Sequence, residues 1–297
     1  MYHTEEKDWF FTPRGECRGY IQPESLKELW FHTGTMCNLD CSFCFEGSKP
    51  GDFRLEPISL EEIRPFIKQG LDLGVEQFSF TGGEPFMQKD FVGILDYALD
   101  FRPALVLTNG TDPLIKQMAR LVPLKDKPHE VRFRISIDSP SAEEHDAVRG
   151  PGTFEKSLKS LSGLHRNGFG VSVARREIPG ENTDEVNLRY ADLFREHGVP
   201  EDTRIVVFPD LLPPGSTRDV PDITEHCMTT YKDQYSRSMF MCAYSKMVIK
   251  RDGKMKVTAC TLVDDTKEYD LADTLKEAMQ QRVMLKHHRC FSCFSSG

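Results

Sequence analysis

Short apolar runs alternate with longer stretches in which apolar positions recur at helical spacing, and the alternation repeats from residue 29 to residue 208. The runs at 29–35, 77–81, 104–108, 132–138, 171–174 and 204–208 predict strands. Between them, 60–73, 91–100, 114–121, 154–167 and 185–197 predict helices. Gly168 and Gly198 stand where a left-handed residue would end two of these helices. Ser59 and Glu62 form a capping box for the first, although Pro65 would then lie inside it and kink it. Strand and helix in strict alternation predict βα units on a parallel sheet, with working groups gathered where the strands end.

The pattern breaks at 209–216, where Pro209, Pro213, Pro214 and Gly215 prevent a helix or central strand from continuing. Beyond the break, 247–250 and 255–259 flank Asp252-Gly253, a hairpin signal, and 275–284 predicts one more helix. This divides the chain into an N-terminal extension at 1–28, a βα body at 29–209 and a small α/β appendage at 210–297.

The 297 residues carry 39% hydrophobic and 28% charged positions, ordinary for a soluble globular protein. No apolar run approaches the ~20 residues of a membrane span, and the polar, acidic start has no signal-peptide core. We therefore expect a cytoplasmic protein without a membrane partner. A net charge of −8 gives no general attraction to nucleic-acid phosphate, so no nucleic-acid partner is expected either.

Nine cysteines in a chain of this size argue for metal rather than a disulfide framework. Cys37, Cys41 and Cys44 form C-x3-C-x2-C, three thiolates from one short loop. An iron–sulfur cluster usually takes four, so three leave one iron open to a substrate or cofactor. Both gaps would also suit zinc. Gly82-Gly83-Glu84-Pro85 follows the second strand, where glycines permit close backbone approach and a carboxylate suits an ammonium group. Thr108 and Asn109 end the third strand, and Ser136 and Asp138 alternate along the fourth so that they share a face. His145-Asp146-Ala147-Val148-Arg149-Gly150 follows that strand, its guanidinium suited to a carboxylate. Toward the C-terminus, Cys242, Cys260, Cys290 and Cys293 form C-x17-C…C-x2-C, four thiolates that can close an iron–sulfur cluster or a zinc site. Cys17 and Cys227 carry no assigned role; Cys227 could supplement the second set.

The C-x3-C-x2-C run with Phe43 before its third cysteine closely resembles the radical S-adenosylmethionine (SAM) superfamily, over about residues 29–208. That resemblance implies a partial (β/α)6 barrel. It implies a [4Fe–4S] cluster on Cys37, Cys41 and Cys44 that chelates SAM and, once reduced, cleaves it to a 5′-deoxyadenosyl radical. It implies SAM contacts from Gly82, Gly83, Glu84, Pro85, Thr108, Asn109, Ser136, Asp138 and Arg149. The C-terminal four cysteines resemble the auxiliary-cluster domain called Twitch, a short relative of SPASM, and imply a second [4Fe–4S] cluster. A low-potential donor such as flavodoxin or ferredoxin would supply the electron. Glu46, Arg175, Arg176 and Glu177 fall near strand ends where substrate would lie.

A full SPASM domain would need about three more cysteines, and the 36 residues before Cys37 are too few for a leader-peptide-binding domain. The spacing is closer to that of an aminoglycoside-type dehydrogenase of the superfamily, and the end Phe294-Ser295-Ser296-Gly297 lacks the Gly-Gly of the molybdenum-cofactor cyclase. The leading expectation is thus oxidation or rearrangement of a small molecule, with peptide or protein maturation as the alternative. A non-enzymatic iron–sulfur electron-transfer or sensing protein would leave Gly82–Pro85 and Arg149 without a task, and a zinc-stabilised binding module would contain no iron.

Overall fold

A computed structural model describes residues 8–209, 212–263 and 266–296. Its centre is a nine-stranded sheet in the order β10-β9-β8-β2-β3-β4-β5-β6-β7. Strands β2 (Glu28–His32), β3 (Gln77–Thr81), β4 (Ala104–Thr108), β5 (Val131–Ser136), β6 (Gly170–Arg176) and β7 (Ile205–Phe208) pair in sequence, all parallel. The six predicted strands are all present, and the fold is the α/β class expected of the sequence.

Helices α1 (Leu60–Asp72), α2 (Phe91–Ala98), α3 (Asp112–Leu121), α4 (Ala142–Arg149), α5 (Thr153–Arg166) and α6 (Thr183–Glu196) fill the crossovers. Both halves of the Ser59–Glu62 capping box form, and α1 runs through Pro65 to Asp72. Pro65 lacks an N–H, but the capped first turn and the buried Ile63, Phe66 and Ile67 hold the helix across it. Gly168 and Gly198 have φ of 87° and 68°, the left-handed stops expected of them. Helix α4 lacks a long apolar stripe, which hid it from the periodicity reading; of its side chains only His145 is buried.

Alternation along the strands sends side chains to two faces. Leu29, Phe31, Phe78, Phe80, Val106, Phe133, Ile135 and Val173 pack with the helices in the main core. Trp30, Leu55, Leu105, Met247 and Ile249 form a second, small cluster on the opposite face. The hairpin of β8 (Ser245–Arg251) and β9 (Lys254–Thr258) forms around Asp252-Gly253 as the sequence predicts. It extends the central sheet, because β8 pairs in parallel with β2. Strand β10 (Asp270–Ala272) follows on β9, while β1 (Tyr20–Ile21) pairs with β11 (Val283–Met284) in a separate two-stranded sheet.

The expected helix over 275–284 ends sooner. Helix α10 spans Leu275–Gln280, and Val283–Met284 turns into the strand that meets Tyr20–Ile21. Short helices α7 (Glu225–Tyr231), α8 (Gln234–Ser238), α9 (Met241–Tyr244) and α11 (Cys290–Ser296) complete the C-terminal part. Of the break at 209–216, Asp210 and Leu211 lie outside the described residues, as does 1–7 of the N-terminal extension. Among the described residues no helix is long and apolar enough to cross a membrane.

Candidate functional site

The loop after β2 carries Cys37, Cys41 and Cys44. Cys37 is buried, Cys41 and Cys44 half-buried. The Cys44 amide donates to the Cys41 carbonyl at 3.1 Å, and the Gly47 amide to the Cys44 carbonyl at 2.9 Å, winding the loop around the thiols. Burial raises all three thiols above the ordinary range, Cys37 to about 12. The Arg149 charge opposes that rise at Cys41, and the Glu46 to Ser48 amides oppose it at Cys44. Metal binding must therefore displace protons here.

Gly82 and Gly83 press on the backbone that leads into Cys37. The Gly83 amide donates to the Gly34 carbonyl at 2.9 Å, and the Glu84 amide to the Met36 carbonyl at 3.0 Å. A Cβ on Gly83 would stand 2.6 Å from the Thr35 carbonyl oxygen and closer still to Met36. Gly83→Ala should cost about 3 kcal/mol in urea unfolding and reduce iron uptake, since the neighbour that must move is backbone.

Glu84 is buried, and its carboxylate accepts from the Thr108 hydroxyl at 2.8 Å, the Asn109 amide at 2.8 Å and the Phe86 amide at 3.1 Å. Burial lifts it to about 7 against those donors. Three residues expected at the cofactor are thus bound to one another, with Glu84 bracing the end of β4. Pro85 opens the following turn and is buried. Asn109 reaches the first loop directly: its side-chain amide donates to Asn38 Oδ1 at 3.0 Å and lies 3.8 Å from Cys37 Sγ. Asn38 in turn donates to Thr111 Oγ1 at 2.9 Å.

Asp138 lies two residues past the end of β5, beyond the strand that was expected to include it, and is buried, whereas Ser136 is the last strand residue and half-buried. Its carboxylate pairs with Arg149 Nε and accepts from the Arg176 amide at 3.1 Å. The Arg149 and Arg176 guanidinium carbons stand 5.3 and 4.1 Å from the centroid of the Phe43 ring, inside the cysteine motif. The loop, the end of β5, α4 and β6 therefore converge on one point.

His145 is fully buried, accepting from the Asp138 amide at 3.2 Å, and burial pushes its pKa down to about 4. Asp146 caps the start of α5 through the Gly152 and Phe154 amides. The unfolded chain takes up the His145 proton near pH 6.5 and the folded one near 4, so stability is lost as pH falls through that window. Between pH 7 and pH 5 this contribution should be about 2 kcal/mol, read as the difference in urea unfolding between wild type and His145→Asn, since Glu84, raised to about 7, gains stability over the same window in both proteins.

Two of the charged residues placed near substrate are each buried against a partner in the chain. Glu46 is buried against His32, whose Nε2 lies 3.1 Å from its carboxylate. The Gly34 amide donates to His32 Nδ1 at 3.2 Å, which assigns the ring proton to Nε2. Arg175 faces the helices with Val173, fully buried and paired with Glu181 at 2.5 Å. Arg176, one residue on, has the opposite face and reaches Phe43, while Glu177 is exposed.

The C-terminal cysteines Cys242, Cys260, Cys290 and Cys293 line one cavity with Met241, Leu262, Tyr269 and Arg289. Burial raises all four thiols, Cys242, Cys260 and Cys290 strongly. Among the described residues no three His, Cys, Asp or Glu side chains are set to hold a single metal ion. Lys246 is fully buried beside them, donating to the Cys242 carbonyl at 2.6 Å and the Ser245 carbonyl at 2.9 Å. Burial lowers its pKa to about 8, and no salt bridge among the described residues neutralises it. A buried cation acting on Cys242 and Cys260 fits thiolates bound to metal, which would supply the missing negative charge. Cys227 is not in this lining: it sits in the first turn of α7, capped by Thr224, and Cys17 is exposed.

Sequence reading missed His32, Lys246 and Arg289 as site neighbours. It named Arg176 together with Arg175, and period-two alternation sets the two on opposite faces.

A profile of the radical SAM superfamily matches residues 31–187. The antilisterial bacteriocin subtilosin biosynthesis protein AlbA of Bacillus subtilis is 35% identical over 140 residues, 46% of this chain and 30% of that protein. Mycofactocin maturase MftC of Mycolicibacterium smegmatis is 27% identical over 54% of this chain and 40% of its own length. An AdoMet-dependent heme synthase of Methanosarcina barkeri is 30% identical over 54% and 45%. The matched stretches thus span less than half of each of these relatives. Streptococcus suis SuiB bound to S-adenosylmethionine shares the fold with a TM-score of 0.61 at 16% identity, over 82% of this chain and 62% of that one. The anSMEcpe structure with bound AdoMet does so with a TM-score of 0.61 at 17% identity, over 87% and 78%. The chain belongs to the radical SAM superfamily and uses its two cofactors, S-adenosylmethionine and a [4Fe–4S] cluster.

Proposed function

We propose that this protein is a radical SAM enzyme that takes a hydrogen atom from a peptide or protein substrate, with an auxiliary cluster at its C-terminal cysteines. The observation that carries the reading is the convergence at Phe43, where Arg149 and Arg176 flank the cysteine loop and share Asp138. Cys37, Cys41 and Cys44 would hold the SAM cluster. Gly82, Gly83, Glu84, Pro85, Thr108, Asn109, Ser136, Asp138 and Arg149 would border SAM. When bound, cluster and SAM supply the radical; the chain supplies position and charge. Glu84 fixes Asn109 beside Cys37, and Asp138 aims Arg149 at the loop.

Cys242, Cys260, Cys290 and Cys293 would hold the auxiliary cluster. Four thiolates would suit zinc as well, and their common cavity together with the first cysteine motif in the same chain favours a cluster. On this reading 29–209 is the radical SAM body and 210–297 the auxiliary part, although β8 and β9 lie in the same sheet as the body. A low-potential donor such as flavodoxin or ferredoxin would deliver the electron in the cytoplasm.

The peptide reading displaces the small-molecule expectation because a bacteriocin biosynthesis protein and a maturase stand among the relatives. The small-molecule reading keeps support from the heme synthase and from GTP 3′,8-cyclase of Actinobacillus pleuropneumoniae, 27% identical over 45% of this chain and 39% of that protein. One experiment decides between them. Extract of deuterated host cells is split into peptide and small-molecule fractions, and each is given to reduced enzyme with SAM. Deuterium in 5′-deoxyadenosine from the peptide fraction alone supports the proposal; deuterium from the small-molecule fraction alone overturns it.

A further inference from the structure

Arg289 lies between the two cysteine sites and touches the backbone of both. It is 2% exposed and directly precedes Cys290. Its Nη1 donates to the Leu262 carbonyl at 2.9 Å. Its Nη2 donates to the Phe45 carbonyl at 3.0 Å and the Leu212 carbonyl at 2.8 Å. The guanidinium carbon stands 5.4 Å from the Phe45 ring centroid. Phe45 follows Cys44, and the Leu262 amide donates to Cys260 Sγ at 3.4 Å. One side chain therefore grips the residue after the last cysteine of the first loop and the residue that hydrogen-bonds a cysteine of the second site.

A guanidinium suits this task because its donors leave a rigid plane in fixed directions, and its charge strengthens each bond to a carbonyl. The sites are far apart in sequence, and the three carbonyls come from three separate segments. With the cation fixed, Leu262 cannot shift toward or away from Cys260 without pulling on Phe45. A flexible ammonium would hold fewer carbonyls and fix no plane.

We infer that Arg289 is a positioning residue that couples the two cysteine sites, so that order at the C-terminal site is transmitted to the loop carrying Cys41 and Cys44. The inference rests on the reading that both sites hold clusters. It predicts that loading the C-terminal site tightens a loop that contributes no ligand to it.

Hydrogen–deuterium exchange of full-length protein tests this, comparing wild type, Arg289→Lys and Arg289→Met, each empty and after anaerobic reconstitution. In Arg289→Met, peptides covering 41–48 should exchange about tenfold faster or more, while those from β3 to β5 keep the wild-type rate. Reconstitution should slow exchange at 41–48 in wild type beyond what is seen in Cys290→Ala/Cys293→Ala, and this increment should vanish in Arg289→Met. Arg289→Lys should fall between, and it carries the comparison if the methionine variant does not fold. Unchanged exchange at 41–48 in Arg289→Met, with loosening confined to 286–293, would overturn the inference. The cluster reading fails separately: Cys290→Ala/Cys293→Ala would then lose no iron, and the empty proteins would still decide whether Arg289 holds the first loop.

Discussion

Cys41→Ala is expected to bring reductive cleavage of SAM to background and to lower iron from about eight to about four per chain. The first loop offers three thiols, and a cluster that already lacks a fourth protein ligand has no margin for losing another. Cys41 is also the thiol whose charged form Arg149 favours, so the variant removes one anionic neighbour of that cation. The pair Arg149–Asp138 and the Phe43 ring would remain, and the fold should survive, because Cys41 is half-buried and outside the main core. Chromatography of 5′-deoxyadenosine and iron analysis on the same preparation check both halves. Cys17→Ala, at an exposed position of no assigned role, should change neither.

Cys293→Ala should produce the complementary result: iron falls from about eight to about four, yet SAM cleavage persists without substrate turnover. The argument turns on Lys246. With thiolates on metal, its buried charge has a counterpart; without them it is a desolvated cation held only by carbonyls. Stripping the C-terminal site should therefore lower unfolding stability by several kcal/mol, in the range found for breaking a buried ion pair. Lys246→Met should relieve much of that cost in the empty protein. Urea unfolding of the two single variants and the double variant measures the coupling, and additivity would show that Lys246 does not sense the site.

The sheet was legible because its strands are short, apolar and separated by amphipathic helices, so the six parallel strands and the hairpin at Asp252-Gly253 follow from periodicity and turn chemistry. What escaped lacked such a pattern. Helix α4 buries only His145, and β1, β10 and β11 have two or three residues each, too few to show a period. Helix 275–284 was read too long because Val283 and Met284 continue its apolar spacing, whereas pairing with Tyr20 and Ile21 claims them.

In the site, residue types were legible and partnerships were not. Glu84 reads from sequence as a carboxylate for an ammonium group, but folding surrounds it with Thr108, Asn109 and Phe86. Glu46 and Arg175 read as loop charges, yet each is buried with a partner distant or hidden in sequence, His32 and Glu181. Lys246 sits in an apolar strand pattern, and Arg289 follows two histidines with nothing around it to suggest the carbonyls of Phe45, Leu212 and Leu262. Long-range contacts of this kind are set by tertiary packing, which one sequence does not display.

The most direct test of the central claim is electron paramagnetic resonance of the anaerobically reconstituted, reduced protein before and after adding SAM. An open iron on Cys37, Cys41 and Cys44 predicts one cluster signal that shifts with SAM and disappears in Cys41→Ala. A reduced cluster signal that SAM leaves unmoved would contradict it.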